Sequence, residues 1–151
     1  MPVPVSLNQT ENAMVSTQRI RVDTKGNTDI LDITDRVDAA VKKSGIKSGI
    51  ANIFVVGSTA ALTTMEFEPG LVADLQTLFE RIIPSNAPYK HNLRWGDMNG
   101  HAHIRASILG PSIAIPVIAA ELAIGTWQQI VLIDFDIRPR TREVIVQIVG
   151  E

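Results

Sequence analysis

The chain of 151 residues has no cysteine. Disulfides and thiolate metal sites are therefore excluded, and nothing suggests secretion. It has no apolar run approaching the roughly 20 residues of a membrane helix. It has no basic block: 14 Lys and Arg stand against 16 Asp and Glu, a net charge of −2, which argues against nucleic acid as the main partner. Gly-x-Gly-x-x-Gly and Walker strings are absent, so nucleotide binding through those loops is unsupported. Ser58 and Ser112 do not sit in a Gly-x-Ser-x-Gly elbow, which argues against a serine nucleophile. The opening MPVPVSLNQTENAM has two prolines and no Lys or Arg, a poor signal peptide. The expectation is a cytoplasmic protein, with no membrane partner, in which residues 1–14 form a loose arm and residues 15–151 a single domain.

Apolar residues make up 45% and charged residues 20%, ordinary globular usage, and the length suffices for a real core. Residues 15–24 alternate with period two, as a strand does, and Lys25-Gly26-Asn27 is a turn signal. With Asp29 to Ile33 they read as a hairpin. Val37, Ala40 and Val41 form a helical stripe closed by Gly45. The run from Ile50 to Val56 reads as a buried strand, continued or bulged through STAALTTMEFE. Leu71, Val72, Leu75, Leu78, Phe79 and Ile82 predict a helix over about 70–83, ending before Pro84. Residues 84–98 read as a long loop, a length more often functional than idle. Ser112 to Ile118 reads as an edge or bulged strand because of Pro116. The strands TWQQIVLIDF and REVIVQIV read as an antiparallel pair around a turn at Pro139. Helices amid several short strands indicate an α+β fold.

Polar chemistry concentrates between His91 and Gly110. All three histidines, His91, His101 and His103, lie there with Asp97, Asn99, Arg94, Arg105 and Trp95. As a strand, residues 99–109 would place His101 and His103 on one face, where they could share a metal. As a helix, Asn99 caps the start and Gly110 with Pro111 ends it, and the histidines diverge by about 200°. The helix is favoured by the alanines and by the Ile104–Ile108 pair. Its N-terminus, with Asn99, Gly100, His101 and Arg105, would then be an anion site suited to phosphate or pyrophosphate. Arg138, Arg140 and Arg142 read as a solvated turn that could add charge. Glu66, His91, Asp97 and His103 form a second constellation, able to hold Mg²⁺ or Zn²⁺ or to supply a general acid and base. Its bland reading is a polar network between sheet and loop. Trp127 suits a core or interface anchor as well as a ligand contact.

The strings NGHAHIRASILGPS and IGTWQQIVLIDFDIRPR, with GSTAALTTME upstream, resemble the YjbQ-like family over most of the chain. The resemblance implies a homotrimeric α+β protein with antiparallel, sandwich-like sheets and about three helices. Some members are linked to a weak thiamine-phosphate synthase activity. It therefore implies a small phosphorylated metabolite as partner, His103, His91 and Glu66 as catalytic residues, and a divalent metal on His91, His103, Asp97 and Glu66. Asn99, Gly100, His101, Arg105, Ser58 and Trp127 would bind substrate. Many members carry His-Thr-Thr-Ala where this chain has Ser58-Thr59-Ala60-Ala61, so Ser58 replaces a histidine and is a weaker base and metal ligand. The alternative is a non-catalytic trimer that binds an anion or a metal.

Overall fold

A computed structural model describes residues 13–151. The expected arm over 1–14 lies, apart from its last two residues, outside the described residues. In chain order the elements are β1 (Met14–Thr24), β2 (Asp29–Asp32), α1 (Thr34–Ser44), β3 (Ser48–Val56), β4 (Ala60–Met65), α2 (Pro69–Ile82), α3 (Lys90–Trp95), α4 (Gly100–Leu109), β5 (Ser112–Ile118), β6 (Glu121–Leu122), β7 (Gln129–Asp134) and β8 (Arg140–Gly150). They form a five-stranded sheet, β1-β8-β3-β5-β6, and a three-stranded sheet, β2-β7-β4, with every pairing antiparallel.

The apolar run of β7 explains the layering. A strand buried on both faces reads as a continuous apolar segment rather than an alternation. Ile130 and Leu132 face a core shared with α1 and the five-stranded sheet, including Val37, Ile53, Leu62 and Ile148. Val131, Ile133 and Phe135 face a second core with Phe79 of α2 and Ala102 of α4. The strand β8 alternates instead: Val144, Val146 and Ile148 are buried while Gln147 and Val149 are exposed. The fold is thus α+β with a sheet sandwich and a helical layer outside the smaller sheet.

Two expected pairings are corrected. β1 and β2 are not a hairpin; β1 pairs with β8 and β2 with β7, in different sheets. Gly26, Asn27 and Thr28 all have positive φ, and Asn27 N–H donates to the Asp136 carbonyl at 2.6 Å, so the connection crosses between sheets. Likewise β7 and β8 lie in separate sheets. The last strand of the smaller sheet starts at Gln129, because Gly125 to Gln128 is a turn in which Gln128 N–H donates to the Gly125 carbonyl. Among the described residues there are four helices where about three were expected, since α3 occupies part of the expected loop.

Candidate functional site

One end of the sandwich gathers the polar residues. Asp134 ends β7, Gly57 and Ser58 join β3 to β4, and α3 and α4 close over them. α3 brings His91, and Gly96 in the left-handed region (φ 69°) ends that helix and turns the chain back toward α4. α4 brings His103. The two imidazoles lie 4.4 Å apart, centroid to centroid, tilted by 52°. His91 Nε2 is 3.5 Å from Asp97 Oδ1 and 3.1 Å from the Asn99 amide. His103 hydrogen-bonds the Ser58 backbone. Its pKa is held below the usual histidine value by burial and by the neighbouring His91 charge, against the pull of Asp136 and Asp97.

Asn99 is buried between two carboxylates and cannot satisfy both. With Nδ2 toward Asp136 Oδ1 at 3.4 Å, its oxygen faces Asp97. Turned over, Nδ2 donates to Asp97 Oδ1 at 3.0 Å and to His91 Nε2 at 3.1 Å. The second orientation satisfies more groups. In that orientation both the oxygen and the nitrogen of the amide are satisfied.

Behind this cluster lies a buried charge network. Arg142 forks onto Asp134, Nε to Oδ2 at 2.7 Å and Nη2 to Oδ1 at 2.8 Å, and Nη2 also donates to Thr59 Oγ1 at 2.6 Å. Thr59 donates to Asp136 Oδ2 at 3.0 Å, and Arg140 Nη2 donates to the same oxygen at 2.7 Å. Burial alone would raise the Asp136 pKa; the Ile137 N–H, the Thr59 hydroxyl and Arg140 outweigh it and hold the carboxyl below its usual range. A cleft of about 220 Å³ opens here, lined by Asp97, Asn99, Asp136, Ile137, Arg138 and Arg140. A second, of about 160 Å³, is lined by Gly57, Ser58, Ala60, Ala106, Ser107 and Pro111.

The structure thus brings together His91, His103, Asp97, Asn99 and Ser58. Other expected site residues lie elsewhere. Arg105 is buried, and its guanidinium donates to the Ile83 carbonyl, Thr28 Oγ1 and Glu80 Oε2, so it is removed from ligand contact. The Arg105 and Ser85 hydrogen bonds lower the Glu80 carboxyl to about 2. His101 is buried with Nδ1 unpartnered, and burial, then the Arg105 charge, lowers its pKa. Gly100 is buried too; its N–H donates to Asn92 Oδ1 at 2.9 Å, and a Cβ there would meet Tyr89 Cβ at 2.7 Å. The first N–H of α4 is therefore taken by Asn92 of α3, and the Asn99 side chain makes no capping hydrogen bond. Glu66 and Trp127 sit at the opposite end of the smaller sheet, where Met65 pairs with Gln129. Five strand steps separate Ala60 from Met65, about 17 Å. Among the described residues, no group of three His, Asp or Glu side chains is placed to hold a metal ion, so the set His91, His103, Asp97 and Glu66 does not assemble within one protomer.

Asp134 and Asp136 were missed, and Arg142, read as part of a solvated turn, is buried. A signal existed: Arg142 shares parity with the inward Val144 and Val146, and Asp134 closes an apolar strand. An inward charge needs a partner.

These features define an α+β protein of two antiparallel sheets, with a histidine pair and a buried arginine–aspartate network at one end. Residues 18–151 match the family described as UPF0047 protein YjbQ-like, and the chain belongs to that family. It is 36% identical to a UPF0047 protein of Methanothermobacter thermautotrophicus over 137 residues, 91% of this chain and 94% of that protein. It is 40% identical to a UPF0047 protein of Archaeoglobus fulgidus over 79% of this chain and 90% of that one. The crystal structure of a YbjQ-like protein of unknown function from Sulfolobus solfataricus P2 superposes with a TM-score of 0.88 at 41% identity, covering 93% of this chain and all (100%) of that one.

Proposed function

We propose that the chain is an enzyme acting on a phosphorylated or pyrophosphorylated metabolite at the His91–His103 end of the sandwich. The observation that carries this is the cleft beside the histidine pair, lined by Asp97, Asn99, Asp136, Ile137, Arg138 and Arg140. Arginine suits phosphate oxygens through its planar fork of donors. His103, held neutral to lower pH than an ordinary histidine, is available as a base near neutrality, with His91 beside it.

His91 Nε2, Asp97 Oδ1 and the Asn99 amide lie 3.0–3.5 Å from one another, the separation of neighbouring ligands around one small divalent ion. With the Asn99 oxygen turned toward His91 and Asp97, these three residues could hold a hard ion completed by water. Such an ion would neutralise charge on a phosphate. Within that class the reading carried by family likeness is a thiamine-phosphate synthase-like condensation. A thiazole phosphate nitrogen forms a bond to the pyrimidine methylene carbon as the carbon–oxygen bond breaks, and pyrophosphate leaves with the electron pair. The cleft residues would hold that pyrophosphate.

The test incubates purified protein with Mg²⁺, pyrimidine pyrophosphate and thiazole phosphate and quantifies thiamine phosphate. Product from wild type, with a loss of about 10²-fold or more in His103→Ala, is expected for loss of an acid–base group. No product from folded wild type would sink the condensation. A second reading, a non-catalytic anion- or metal-binding protein, is favoured by Arg140 already being held by Asp136; phosphate retention without turnover would support it.

A further inference from the structure

The His91–His103 pair stands between two clefts of different chemistry. The charged cleft of about 220 Å³ includes Asp97 and Asn99 in its lining. The second, of about 160 Å³, has no charged side chain: Gly57, Ser58, Ala60, Ala106, Ser107 and Pro111 line it. His103 meets the lining of both. Its ring lies against His91, whose Nε2 is 3.5 Å from Asp97 Oδ1 and 3.1 Å from the Asn99 amide. The same ring hydrogen-bonds the Ser58 backbone. The helix α4 sets the spacing of the two clefts. Asn99 stands at its start and lines the first, and Ala106 and Ser107 lie two turns further on and line the second. Seven residues of helix advance about 10 Å. The two clefts thus form a ruler with His103 near its middle.

The second cleft is built for a small uncharged group. Ala60, Ala106 and Pro111 give it apolar walls, and the exposed Ser58 and Ser107 give it two hydroxyls. Ser107 Oγ donates to the His103 carbonyl at 2.7 Å, so its lone pairs remain to accept from a ligand. The Ser58 hydroxyl can donate or accept. A charged group entering this cleft would lose hydration and meet no counter-charge. We propose that the second cleft is a subsite for the uncharged, hydroxyl-bearing end of a phosphorylated substrate whose phosphate lies in the charged cleft, about 10 Å away. This rests on the reading of the charged cleft as a phosphate site. It narrows the substrate class to extended phosphate esters that end in a small neutral group. It also places the His103 ring beside the bonds between the two ends. A short ester fills only the charged half.

The test uses inorganic phosphate and hydroxyalkyl phosphates with two, six and ten carbons between hydroxyl and phosphate. Each is titrated calorimetrically into the whole chain with Mg²⁺ present. The six-carbon ester is expected to bind about tenfold tighter than the two-carbon ester, because its methylenes and hydroxyl reach the subsite. The ten-carbon ester is expected to gain nothing further. Ser107→Leu fills the subsite and is expected to abolish the tenfold preference while leaving the affinity for inorganic phosphate unchanged. Ser107→Ala keeps the room and is expected to retain most of the preference. Ser107 is exposed on α4, and leucine and alanine are good helix formers, so both variants are expected to fold. Affinity that is independent of length, affinity that keeps rising through ten carbons, or a preference that survives Ser107→Leu overturns the subsite and leaves the phosphate reading standing. Failure of inorganic phosphate to bind overturns the phosphate reading and the subsite with it.

Discussion

At the residue scale, the costliest side chain to lose is Arg142. Asp134 is fully buried, and its charge is balanced by that one guanidinium, assisted by the Thr24 hydroxyl at 2.6 Å. Arg142→Leu strands a carboxylate in the interior, and about 3–5 kcal/mol of stability is expected to be lost in urea denaturation. Asp134→Asn added to that variant is expected to return part of it, because an amide carries no charge. Two histidines of α4 make a separate prediction. His101 and His103 both have pKa values below 6.5 in the folded chain. The unfolded chain takes up protons first as pH falls through about 6.5. Stability is therefore fully present above that value and declines below it, until the folded-state histidines protonate too. Melting temperature is expected to drop between about pH 7.5 and about pH 5.5, and to drop less in His101→Gln. A profile equally steep in the variant would remove His101 from the cause.

At the element scale, what could be read from the sequence was local. α2 was legible because Pro69 starts it, Glu68 caps Gly70 and Leu71, and Pro84 follows it. β8 was legible through its alternation. α3 was not, since six residues between prolines and glycine show no period. Strand partners were not legible either, because turn signals at Gly26 and Pro139 look like hairpins whether or not the chain changes sheet. Around α3 and α4, His91, Asp97 and His103 were grouped and do lie together, but His101 and Arg105 were assigned to an anion site at the start of α4. The helix points them inward while Ile108 is 68% exposed, against simple hydrophobicity. Arg105 can be inside only because Glu80 and the Ile83 carbonyl, some twenty residues away in sequence, receive it. Close backbone approach gives a prediction at this scale. β3 and β8 meet at Gly49 and Gly150, where a Cβ on Gly49 would lie 2.1 Å from the Val149 carbonyl oxygen. Gly49→Ala must push the strands apart, and a loss of about 1–3 kcal/mol is expected in thermal or urea unfolding.

At the scale of the whole molecule, the contacts that define the fold span the chain. Among the described residues, no helix is long and apolar enough to cross a membrane. β8 lies between β1 and β3, pairing Met14 with Gly150 on one side and Ile50 with Val149 on the other. A chain emerging from the ribosome therefore carries β1 and β3 with their common neighbour still unmade. The larger sheet has no middle until residues 140–150 are free of the exit tunnel, and both waiting edges are open to strangers in the meantime. Folding dominated by such long-range pairing takes roughly milliseconds to seconds.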